Sequence, residues 1–104
     1  MNMALAGGDE RDVEIFLDQQ AVTLALADRD LAGPLRRVLE RALLVTPTGL
    51  LCRVRCSRAQ ARRLDEWFQR AASRLADRQS PAATLIYGRA SRSIAYALRR
   101  HGRG

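Results

Sequence analysis

The sequence predicts a small α+β domain, with a short antiparallel sheet of about three strands in the order ββαβαα, covered on one face by two or three helices. Three observations carry this expectation. Leu51-Cys52-Arg53-Val54-Arg55-Cys56 alternates apolar and charged residues at the period of a half-buried strand. After it, Ala61, Leu64, Trp67, Phe68, Ala71 and Leu75 recur at the 3, 4, 7 spacing of a core-facing helical stripe. Ser80-Pro81 then opens a second long helical pattern as N-cap and first helical residue.

The chain of 104 residues has room for one domain, expected over residues 12–100, between a loose tail at 1–11 and a frayed basic end at 101–104. With two Phe, two Tyr and one Trp in the whole chain, Leu, Val, Ile and Ala must fill most of the core. No apolar run approaches the roughly 20 residues of a membrane span, and Met1–Gly8 lacks the basic start and apolar length of a signal peptide. A cytoplasmic location without membrane contact is therefore expected.

The first ordered element is Val13–Leu17, a strand with Val13, Ile15 and Leu17 on one face. Residues 22–27 are ambiguous. Alternation of Val22, Leu24 and Leu26 argues strand, while the alanines and Asp18 as an N-cap argue helix. The alternation favours a hairpin turning at residues 18–21, although that turn lacks the Asn-Gly or Asp-Gly signal. Asp28 or Asp30 can cap the next helix, whose stripe is Leu31, Leu35, Val38, Leu39 and Ala42, with Arg36 and Glu40 as an i, i+4 pair. That helix should fade before Pro47, with residues 46–49 as the connecting turn.

In the central strand Cys52, Val54 and Cys56 face inward, and Arg53 and Arg55 face outward. Beside Val13–Leu17, these arginines would share a sheet face with Glu14 and Asp18 and form cross-strand ion pairs; alternatively they present guanidinium groups to a groove. Ser57 with Gln60 forms a capping box for the helix that follows. Opposite that helix's apolar stripe, Arg58, Arg62, Glu66, Arg70, Arg74 and Arg78 recur at every fourth position, a ridge about 30 Å long. The last helix sets Ala83, Ile86, Tyr87, Ala90, Ile94, Ala97 and Leu98 inward, with Gly88 as a weak point. Tyr96 falls outside that stripe, among Arg89, Arg92, Arg99, Arg100 and Arg103. Val13–Ala21 and Cys52–Gln60 echo each other, each a strand-like alternation followed by a capping residue, without the shared identities of a duplication.

Charge is segregated along the chain. Residues 1–50 hold eight acids against five arginines, net −3, whereas residues 51–104 hold three acids against thirteen arginines, net +10. Such a basic half attracts polyanions, acidic protein surfaces or the chain's own acidic half. The absence of Lys is also what a GC-rich coding sequence would produce. On a strand, Cys52 and Cys56 stand roughly 13 Å apart, beyond the roughly 7 Å limit of a disulfide. They are therefore expected to be small buried apolar residues. His101 is the one histidine and is distant in sequence, so neither a metal site nor a cofactor is expected. No nucleophile and base, carboxylate pair or phosphate loop can be assembled from the spacing, so catalysis is not expected.

Two binding functions follow. In the first, a regulatory or accessory protein contacts the phosphates of DNA or RNA through Arg58, Arg62, Arg70, Arg74 and Arg78, with Arg53, Arg55, Arg89, Arg92, Tyr96, Arg99 and Arg100 extending the surface. A basic strand followed by two helices over residues 50–100 resembles the ribbon-helix-helix repressors, which implies a dimer that inserts a paired β-ribbon into the major groove. The helix after Ser57 is a turn or two longer than in that family, and a preceding hairpin would compete for the strand edge. In the second, an adaptor or regulator uses its acidic and basic halves for homo- or hetero-association. Dimerisation through an open sheet edge or the small-residue final helix would add core.

Overall fold

A computed structural model describes residues 12–31, 33–47, 51–77 and 80–102. The chain runs β1 (Asp12–Leu17), α1 (Gln19–Leu26), α2 (Gly33–Leu44), β2 (Cys52–Ser57), α3 (Arg58–Asp77) and α4 (Pro81–Gly102). β1 and β2 form a two-stranded antiparallel sheet in which Val13 faces Cys56, Ile15 faces Val54 and Leu17 faces Cys52. These six side chains are buried under the helices, so one face of the sheet belongs to the core. The expected α+β class and one-sided sheet are present. The described order is βααβαα, with four helices and two strands in place of ββαβαα with three strands.

The difference lies in residues 19–26, which form a helix instead of the second arm of a hairpin. Asp18 Oδ1 accepts from Gln20 N at 3.1 Å, and Asp18 O accepts from Ala21 and Val22 N. Gln20 N is one of the orphan donors of a helix start, and the bond from Val22 N to Asp18 O begins the regular helical ladder. Val22 and Leu26 lie one helical turn apart and both turn inward, with Ala21 and Ala25 buried beside Val22, while Leu24 lands on the outer side. Three alternating apolar residues suit that arrangement as well as they suit a strand.

Arg36 secures the far end of α1. Its Nη1 donates at 2.6 Å to Leu26 O, one of the carbonyls that a helix C-terminus leaves without partners, and its Nη2 at 2.8 Å to Asp28 O in the turn beyond. The expected Arg36–Glu40 pair is therefore replaced by a capping role. Asp28 and Asp30 likewise do not cap a helix beginning beside them. Asp28 Oδ1 accepts from Asp30 N at 2.8 Å within the turn, and α2 starts at Gly33. Its ending at Leu44, before Pro47, matches the expected stop.

The second half follows its pattern closely. Ser57 Oγ accepts from Gln60 N and Gln60 Oε1 accepts from Ser57 N, both at 3.1 Å, the reciprocal bonds of a capping box. α3 buries Ala61, Leu64, Trp67, Phe68 and Ala71. α4 returns antiparallel to α3, as shown by Asp65 accepting from Ser91 Oγ and Arg58 Nη1 donating to Leu98 O. Between them Trp67, Phe68 and Tyr87 form an edge-to-face trio with ring centroids 5.2–5.6 Å apart. Each such pair contributes about 0.5–1.5 kcal/mol beyond area burial. The expected tail at 1–11, residues 48–49 of the connecting turn, Arg78, Arg103 and the His101 side chain lie outside the described residues. No helix among the described residues is long and apolar enough to cross a membrane.

Candidate functional site

The strand pairing that buries one face of the sheet leaves the other open, and it carries Glu14 and Phe16 on β1 and Arg53 and Arg55 on β2. Register sets Glu14 opposite Arg55 and Phe16 opposite Arg53. The ion pair forms on the diagonal, Arg53 Nε donating to Glu14 Oε2 at 2.5 Å, and Arg55 has no ionic partner among the described residues. One of the two cross-strand pairs expected on this face thus forms. Asp18 takes no part in it because it caps α1.

Among the described residues, two grooves flank the open face. Beside β1, a groove of about 660 Å³ is lined by Glu14, Phe16, Leu51 and the α4 residues Arg89, Arg92, Ser93, Tyr96, Ala97 and Arg100. Phe16 is 49% exposed, Leu51 58% and Tyr96 55%, so the groove offers two aromatic rings and an aliphatic side chain to a ligand. The Arg100 guanidinium lies 5.9 Å from the Tyr96 ring centroid. Beside β2, a smaller groove of about 410 Å³ brings Val38, Arg41, Ala42 and Val45 to Asp12, Arg53 and Arg55. The helices thus extend the sheet face on both sides with arginine-rimmed, partly apolar walls.

The ridge on α3 has a different fate. Each four-residue step advances 400°, so a row at i, i+4 drifts 40° around a helix. From Arg58 to Arg74 it has turned by about 160° and no longer occupies one face. Arg58, at one flank, is half-buried and donates to Leu98 O at 3.4 Å. Arg74, at the other, binds Asp30 Oδ2 at 2.6 Å and Asp28 Oδ2 at 3.4 Å, so its charge is answered within the fold. Arg62 and Arg70 remain exposed between them, without ionic partners among the described residues. A third hollow, of about 520 Å³, lies where Arg70, Ser73 and Arg74 meet Asp30 and Trp67. Trp67 Nε1 and Arg74 Nε are buried and have no acceptor among the described residues.

Of the arginines and Tyr96 named from sequence, the open face and its grooves collect Arg53, Arg55, Arg89, Arg92, Tyr96 and Arg100. Arg99 is exposed on α4 but does not line the groove. Phe16 and Leu51 were not singled out by the sequence patterns. The signal was present at Phe16, an aromatic at an outward position between inward-facing Ile15 and Leu17. No family model matches the chain, and no similar protein was found among curated proteins or solved structures.

The titratable groups on the inner side are held neutral. Burial, reinforced by Asp12, pushes the Cys56 thiol up to about 11. Burial also raises Cys52, with a hydrogen bond to Thr46 opposing the rise and Asp18 adding to it. Tyr87 is pushed up to about 12 by burial and by Asp28, against the influence of Arg74. Both cysteines are free and buried, which suits their expected role as small core residues. Asp65 and Glu66 diverge on α3, Asp65 turning to Ser91 on α4 and Glu66 to solvent. Among the described residues no three His, Cys, Asp or Glu side chains converge as a metal site.

Proposed function

We propose that this protein binds single-stranded nucleic acid on the open face of its sheet, with the β1–α4 groove as the principal contact. The observation that carries this reading is the joint placement of Phe16 and Tyr96, both about half exposed, in one groove rimmed by Arg89, Arg92 and Arg100. Exposed rings give unpaired bases a surface to stack on, and guanidinium groups at the rim neutralise phosphates. A duplex hides its base faces, so the rings favour a single strand. Arg55 would extend the positive track, while Arg53 holds Glu14 and Arg58 and Arg74 serve the fold. β2 pairs with β1 of its own chain, a different use of the strand from the dimeric ribbon of the repressors it resembles in order.

Protein association draws on another observation, the exposed Leu44 and Val45 at the end of α2, with Val45 lining the groove beside Arg53 and Arg55. Fluorescence anisotropy of labelled single-stranded RNA, single-stranded DNA and duplex DNA, each titrated across salt, separates the two. Tighter binding of single strands, with log affinity falling linearly against log salt, is the expected outcome. No binding to any strand at low salt, together with concentration-dependent sedimentation, would replace nucleic-acid binding with association.

A further inference from the structure

Resting on the single-strand reading above, we propose that the β1–α4 groove prefers guanine and that Glu14 reads it. Glu14 is the one carboxylate among the groove's lining residues, whose other charged members are Arg89, Arg92 and Arg100. Toward a phosphate a carboxylate is repulsive, so Glu14 marks the part of the groove that serves a base edge instead of the backbone. A carboxylate is an acceptor only, with about four lone-pair sites. Arg53 Nε occupies one of them, on Oε2, and orients the group while leaving Oε1 and the rest of Oε2 for a ligand.

Placement on β1 supplies the geometry. Glu14 and Phe16 are two residues apart on the same sheet face, about 6.6 Å along the strand. A base stacked on Phe16 therefore brings its hydrogen-bonding edge within reach of Glu14. Guanine alone among the bases presents two adjacent donors, N1–H and the N2 amino group, on its Watson–Crick edge. Adenine and cytosine offer one amino group beside an acceptor, and uracil or thymine one N–H between two acceptors, which a carboxylate repels. The Glu14 carboxylate can thus make paired bonds with guanine and a single, partly opposed bond with the others.

The test compares all-pyrimidine strands carrying one internal guanine with strands carrying adenine, cytosine or hypoxanthine in its place. The full chain is used at one salt concentration, with Glu14→Gln alongside. The guanine strand should bind about tenfold tighter than the adenine and cytosine strands. Hypoxanthine, which lacks the N2 amino group, should fall between. Glu14→Gln should remove the guanine preference and favour adenine and cytosine, whose adjacent donor and acceptor match an amide that both donates and accepts. Unchanged Trp67 emission and melting temperature establish that the variant is folded. Equal affinity for all four strands would overturn the guanine assignment and leave strand binding standing, and a guanine preference that survives Glu14→Gln would remove Glu14 from the role. Absence of binding to every strand would overturn the single-strand reading itself.

Discussion

Tyr96→Ala separates the two forces that the groove is proposed to combine. The ring is 55% exposed, so its removal takes little from the core, and the change in folding stability should stay within about 0.5 kcal/mol. Against a single strand the loss is that of one stacked base, about 1–3 kcal/mol, or roughly 5- to 150-fold in affinity. Stacking releases no counterions, so the salt slope should not move. Arg92→Gln should do the reverse, flattening the slope by about 0.7 with a smaller loss at high salt. The assay is anisotropy of a labelled strand across a salt series, with wild type, both single variants and the double. Unchanged affinity for Tyr96→Ala would refute the stacking role, and an unchanged slope for Arg92→Gln would refute the phosphate role.

Other predictions concern the fold that presents the groove. Asp18→Ala removes the acceptor of Gln20 N and should lower stability by about 1 kcal/mol in urea unfolding; no loss would mean that α1 starts without its cap. Arg74→Gln severs the ties to Asp28 and Asp30, a partly exposed arrangement worth about 1 kcal/mol, and should lower the melting temperature while leaving strand affinity unchanged. Gly88→Ala should stabilise α4 by about 0.5–1 kcal/mol, because an added Cβ would meet only the end of the Arg92 side chain, at 3.6 Å. Stability should also fall at alkaline pH. Cys56 titrates at about 11 in the folded protein against 9.0 for a free thiol, and Tyr87 at about 12 against 10.0, so the unfolded chain loses these protons first. Stabilisation from both groups is whole below pH 9 and lost as pH rises from 9 to 12. Chemical denaturation at stepped pH should show that decline, and Cys56→Ala should reduce its lower part, to which the buried Cys52 thiol also contributes.

Legibility in the sequence follows the range of the interaction concerned. Ser57 and Gln60 cap α3 across three residues, and Leu64, Trp67, Phe68 and Ala71 repeat one face, so local chemistry determined both β2 and α3. Residues 19–26 were not determined in that way. Their alternation suited a strand, and the decision for a helix rests on the Asp18 cap together with Arg36, which reaches back ten residues to Leu26. The echo between Val13–Ala21 and Cys52–Gln60 held the missing information, since each segment is a strand, a capping residue and a helix start.

The candidate site divides along the same line. Sequence alone determined that the second half carries a large excess of arginine and that Arg53, Arg55 and Tyr96 point away from the core. Those are properties of composition and of helix and strand period. Which arginines remain available was decided only by tertiary structure. A row at every fourth position winds around α3, so the packing of α4 on one flank and of Asp28 and Asp30 on the other engages Arg58 and Arg74 and leaves Arg62 and Arg70 without ionic partners among the described residues. The groove is likewise a product of packing. Phe16 and Tyr96 are 80 positions apart in sequence, and the docking of α4 beside β1 places them in one groove.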